Sequence, residues 1–148
     1  MGILSDFIVA DSCAGQEIGE SSCPAEQWPC LEGWKGVESV KLSTLYFCIT
    51  GEPSSVDETV ALSSEFDFAG GNQEEGPWVL RFPTKVSSAI ASLPESSFGS
   101  VAEKWSATEE LEMDGWTTDN AKTFISQIQP LASNAIASNK SVFLWLSL

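Results

Sequence analysis

The stretch from Val37 to Gly51, VESVKLSTLYFCITG, constrains the fold more than any other part of this chain. Read as a helix, it lays Val37, Val40, Leu45, Cys48 and Ile49 along one stripe. Leu42, Tyr46 and Phe47 widen that stripe until little polar face remains. Among soluble proteins a helix apolar on most sides is buried, so this one is expected at the centre of the core. Its ends are legible as well. Glu38 stands in the first turn at the positive pole of the helix dipole, and Gly51 can take the left-handed backbone that closes a helix.

The remaining pieces follow from periodicity and punctuation. Leu4 to Ala10 reads as a strand, followed by a short helix to about Gly19 capped by Asp11 or Ser12. Residues 20–36 carry Pro24, Pro29, Gly33 and Gly36 and read as an irregular loop pinned by Trp28, Leu31 and Trp34. Residues 53–63 are ambiguous, with a helical turn over Asp57 to Leu62. Glu65 to Phe68 alternates with period two, residues 70–76 form a turn or mobile loop, and Pro77 to Phe82 is a second strand, so the two make a hairpin with a long acidic tip. Thr84 caps a helix that buries Val86, Ile90 and Leu93, and Pro94 ends it. Ser96 or Ser97 opens a helix with Phe98, Val101, Ala102 and Trp105 on one face, running to about Glu112. Thr117 caps the last helix, over 118–138, which buries Ala121, Phe124, Ile125, Ile128, Leu131 and Ala135. Pro130 is expected to kink or split it near Ile128. Asn139-Lys140 then turns into a final strand, Ser141 to Leu148. These pieces predict a single α+β domain over residues 1–148. Its sheet is small, mixed or antiparallel, with about four strands, both termini as strands pairing in its middle, and helices packed on one side.

The length suits one domain that buries roughly two thirds of its unfolded surface. Hydrophobic residues make up 43% of the chain, too many for a disordered one. No apolar run approaches the ~20 residues of a membrane span. The first ten residues hold Asp6 and no base, so they lack the start of a secretory signal, and a cytoplasmic location is expected. Seven bases face twenty-one acids, a formal net charge of −14. That balance opposes binding to nucleic acid or anionic membrane, both of which reward Lys and Arg. Residues 1–75 hold fourteen acids and two bases, and residues 76–148 hold seven and five. The excess is either a solubilising surface or an acidic face that meets a basic partner.

Histidine is absent, which removes His-dependent catalytic pairs, His-ligated metals and the usual near-neutral base. Cys13, Cys23, Cys30 and Cys48 lack the close pair of a zinc site, so free thiols and no metal or cofactor are expected. Cys48 reads as a small core residue on the central helix. Glu109, Glu110, Glu112 and Asp114 form an acidic cluster at the expected end of a helix, where the dipole disfavours carboxylates. Adjacent glutamates on a helix point about 100° apart, so Glu109 and Glu110 make no catalytic pair by themselves. Arg81, the chain's one Arg, lies inside an apolar strand. A buried ion pair with Glu109 or Glu110 would account for both oddities. No phosphate loop, nucleophile elbow, dinucleotide fingerprint or calcium loop is present.

Several short matches together resemble a family of small bacterial proteins of unknown function typified by YfbM. They are the Met1-Gly2-Ile3 start, Trp34 ahead of a helix ending Ile49-Thr50-Gly51, Glu110-Leu111-Glu112 shortly before Trp116, and a long last helix followed by Asn139-Lys140 and an apolar strand. The resemblance spans the whole length. The chain departs from the family pattern in its Cys-bearing loop and lacks a proline after Trp116. The resemblance implies an α+β single domain and no activity.

Two functions compete. One is a non-enzymatic acidic binding protein, in the manner of an immunity or inhibitor protein, that engages a basic protein through its acidic half. Glu74, Glu75, Glu110 and Glu112 are its candidate contacts. The other is a small-ligand-binding protein or enzyme whose pocket lies by the Trp28–Trp34 loop and is lined by Trp28, Trp34 or Trp78.

Overall fold

The computed structural model describes residues 3–52 and 55–148. Met1, Gly2, Pro53 and Ser54 lie outside the described residues, and with them the opening of the family resemblance and the start of the ambiguous 53–63 segment. Five strands, β1 (Leu4–Ala10), β2 (Cys30–Lys35), β3 (Asp67–Gly71), β4 (Trp78–Arg81) and β5 (Ser141–Ser147), form one sheet in the order β2-β1-β5-β4-β3. Every neighbouring pair is antiparallel. β1 and β5 pair in unbroken register from Leu4↔Ser147 to Ala10↔Ser141, so the first and last strands do meet inside the sheet. The class is the expected α+β, with five strands rather than about four.

Alternation along the strands divides the apolar residues between two faces. Phe7, Val9, Val142 and Leu144 point to the main core, whereas Ile8, Ala10, Val79 and Phe143 belong to a smaller cluster on the opposite face. Four helices build the main side: α2 (Ser39–Thr50), α4 (Thr84–Ala91), α5 (Phe98–Ser106) and α7 (Thr118–Ala137). α7 is the helix that spans the sheet, packing on β1, β2 and β5 and against α4 and α5. Thr117 and Asn120 close its N-terminus as a reciprocal capping box. Its buried residues Ala121, Phe124, Ile125, Ile128, Ala132 and Ala135 recur at helical spacing. Pro130 does not split it. The helix runs through, and its phase buries Ala132 and leaves Leu131 half-buried.

The expectation that residues 37–51 hold the centre is corrected by this arrangement. Glu38 is the N-cap of α2, accepting from the Val40 and Lys41 amides, and Gly51 closes the helix at φ 73°. Val37 is buried ahead of the helix, but within α2 only Lys41 to Leu45 are buried, and Cys48 and Ile49 are half-buried. α2 packs on α3 (Val56–Ser63), α4 and α5, one layer out from the sheet. Lys41, buried in that layer, is held by the Gly36 carbonyl and the Asp114 carboxylate. Trp105, fully buried, donates its Nε1 hydrogen to the Lys41 carbonyl at 3.0 Å and to Thr44 Oγ1 at 3.1 Å.

Other boundaries move for local reasons. Residues 30–35, expected as loop, are the strand β2, because antiparallel pairing with β1 supplies its backbone with partners. α1 (Gly15–Glu20) follows Ala14, without a side-chain cap from Asp11 or Ser12. Pro83, not Thr84, occupies the N-cap position of α4. The helix expected to open at Ser96 or Ser97 and run to about Glu112 breaks at Thr108, whose backbone is extended, into α5 and a separate α6 (Glu109–Met113). The break sets the fully buried Leu111 into the core.

α1 lies on the opposite face of the sheet, over β3 and β4. Its Gly15 and Gly19 abut Gly70 and Gly71. A Cβ on Gly15 would sit 2.4 Å from the Ala69 carbonyl oxygen, and one on Gly70 would sit 2.0 Å from that of Gly15. This close approach is what the paired glycines serve.

Candidate functional site

The segment that roofs the second face is acidic on its outer side. Asp11, Glu17, Glu20, Glu26 and Glu32 are exposed between the end of β1 and β2, and Asp67, Glu74 and Glu75 are exposed on the neighbouring hairpin. Arg81 is the one base on these elements besides Lys35. Three ion pairs occur among the described residues, Lys41–Asp114, Arg81–Asp67 and Lys85–Glu65, so most of the carboxylates there have no cationic partner.

The proposed pair of Arg81 with Glu109 or Glu110 is not formed. Asp67 and Arg81 are register partners on β3 and β4, and the guanidinium reaches Asp67 Oδ2 at 3.4 Å. It also donates to the Ser12 carbonyl at 2.9 Å. Arg81 shares its face with Val79, and that face is roofed by α1 rather than by the helices that carry the glutamates. The acidic cluster at 109–114 changes meaning too. With Thr108 as N-cap, Glu109, Glu110 and Glu112 fill the first turn of α6, where the dipole favours carboxylates. Asp114 is engaged by Lys41. Glu109 is exposed, not turned to the core.

The four candidate contact residues fall in two places. Glu74 and Glu75 follow Asn72 in the hairpin turn, where both backbone amides donate to Asn72 Oδ1. Glu110 stands with Glu109 and Lys104 on the wall of an open cleft of about 550 Å³, facing Phe47, Cys48 and Val56. Glu112 is exposed on the same short helix. The three tryptophans do not converge. Trp34 stacks on Trp116 with ring centroids 5.4 Å apart and donates to Gln127 Oε1 at 2.9 Å. Trp28 packs on the second-face cluster. Trp78 covers Gly76 and donates to the Gln73 carbonyl. That cleft lies between α2, α3 and the α5–α6 break, and none of residues 28–34 lines it.

One constellation escaped sequence reasoning. Between the pairs Ser5↔Trp34 and Phe7↔Leu31, β2 carries Glu32 and Gly33 where β1 carries only Asp6, which makes a bulge. One ligand atom each of Asp6, Cys30 and Glu32 lies there within 4.8 Å of the others. Burial raises the Asp6 pKa, with Glu32 adding to it and a backbone hydrogen bond from Gly33 opposing. Burial likewise pushes the Cys30 thiol up to about 12, helped by the charges of Asp6, Glu32 and Cys23. Among the described residues no ion pair joins a base to Asp6 or Glu32. Trp145, directly opposite Asp6 on β5, has a buried indole Nε1 with no acceptor. Cysteine spacing conceals this group, because two of its members are carboxylates. The legible signal was Cys30 and Glu32 at i and i+2, which share a face once residues 30–35 are read as a strand. All four cysteines are free.

No helix among the described residues is long and apolar enough to cross a membrane. No family model, curated protein or solved structure matches the chain.

Proposed function

We propose that this chain is a non-catalytic binding protein whose acidic second face engages a basic protein. The observation that carries the reading is the distribution of charge. The α1-to-β2 roof and the hairpin beside it present eight exposed carboxylates, Asp11, Glu17, Glu20, Glu26, Glu32, Asp67, Glu74 and Glu75, of which Asp67 alone is ion-paired among the described residues. Like charges gathered on one face repel each other in the free protein, and a basic partner relieves that repulsion on binding. Such a field also speeds encounter and suppresses acidic competitors. Glu74 and Glu75 belong to this face, whereas Glu110 and Glu112 lie on α6 and are assigned no contact. The ligand-pocket alternative draws no support from Trp28, Trp34 and Trp78, which are spent on packing in three separate places. The resemblance to YfbM-like proteins supplies no activity to set against this reading, and a cytoplasmic location suits it.

Affinity capture on the immobilised protein tests it, comparing wild type with two charge-neutralised variants. Glu17→Gln/Glu20→Gln/Glu26→Gln changes the roof, and Glu109→Gln/Glu110→Gln/Glu112→Gln changes α6. A basic protein should be retained by wild type and by the α6 variant, released as salt is raised, and lost from the roof variant. Equal retention by the roof variant, or recovery of no basic protein, would overturn the reading.

A further inference from the structure

We propose that Asp6, Cys30 and Glu32 form a binding site for a thiophilic divalent cation of the zinc class. Three side chains of metal-ligating type come from two paired strands, and the bulge opposite Asp6 aims them together. Rigid strands hold such a group better than a loop does. The donor set is one thiolate and two carboxylates. The thiolate disfavours magnesium and calcium, which take oxygen, and the two carboxylates disfavour copper(I), which prefers sulfur. Zinc accepts sulfur and carboxylate oxygen alike. A tetrahedral zinc site needs ligand atoms roughly 3.4–3.6 Å apart. The ligand atoms lie within 4.8 Å of one another, so binding must draw them closer together.

Electrostatics favours the same occupant. Two carboxylates and a thiol converge without a basic partner among the described residues, so a divalent cation is the group that would neutralise them. Binding forms the metal–sulfur bond and releases the Cys30 proton to solvent. Three protein ligands leave a fourth position for water, and Glu32 at the exposed rim leaves a way in. The indole Nε1 of Trp145, the cross-strand neighbour of Asp6 on β5, is buried without an acceptor. Nothing in this inference depends on the basic partner.

Cobalt(II) added to the reduced, chelator-treated protein tests the proposal. A thiolate-to-cobalt charge-transfer band and tetrahedral visible bands should grow to one equivalent, and zinc should abolish them by displacement. Cys30→Ser should remove the charge-transfer band, and Asp6→Asn and Glu32→Gln should each weaken binding at least tenfold. The triple variant Cys13→Ser/Cys23→Ser/Cys48→Ser, which keeps Cys30 as its one thiol, should retain the band. That variant decides the matter even where Cys30→Ser fails to fold. No band in wild type, a band that survives in folded Cys30→Ser, or its loss from the triple variant would each overturn the proposal.

Discussion

The two faces of the sheet are built on opposite terms. The main face is thick and aromatic. Phe124 sits at its middle with ring centroids 5.3 Å from Phe7, 5.1 Å from Trp34 and 5.6 Å from Trp105. Four helices close over it. The second face carries a small cluster, Ile8, Ala10, Ala14, Ile18, Val79 and Phe143, beneath one helix of six residues. Its side chains are smaller, its helix touches the sheet through glycines, and its outer surface is acidic. The difference separates tasks. Depth on one side secures the fold, and the thin roof on the other holds charge and metal-ligating groups near solvent.

Truncation at the two centres should expose that asymmetry. Phe124→Ala removes the ring that Phe7, Trp34 and Trp105 all pack against and should cost about 3–5 kcal/mol in chemical denaturation. A cost below ~2 kcal/mol would mean that the main face is not the stabilising one. Ile18→Ala removes the side chain that pins α1 and should cost about 2–3 kcal/mol, toward the low end for such changes, because a thin roof can settle into the space. A cost equal to that of Phe124→Ala would erase the contrast. The smallest effect is expected at Arg81. Its side chain and that of Asp67 are 37% and 64% exposed, so water screens the pair. Arg81→Met should therefore cost less than about 1 kcal/mol. A double-mutant cycle should show no coupling with Glu109→Gln and weak coupling with Asp67→Asn. Strong coupling with Glu109 would contradict the separation of the two faces.

Much of this architecture is local enough to be read along the chain. Apolar runs bounded by turns mark β1, β4 and β5, and helical spacing marks α4, α5 and α7. The Thr117 cap and the Gly51 stop are short-range chemistry, so each is legible within a few residues. The net charge is likewise a property of composition. Tertiary structure alone decided the rest. β2 is a strand because β1 offers it an edge, and its own sequence, with Glu32, Gly33 and Lys35 among six residues, carries little strand signal. α5 ends at Ser106, and α6 restarts after Thr108, which sets Leu111 in the core. Arg81 answers to Asp67 because strand register, not sequence distance, sets which charges meet. Asp6 meets Cys30 and Glu32 for the same reason, since pairing between strands depends on a bulge and a register that neither strand specifies alone.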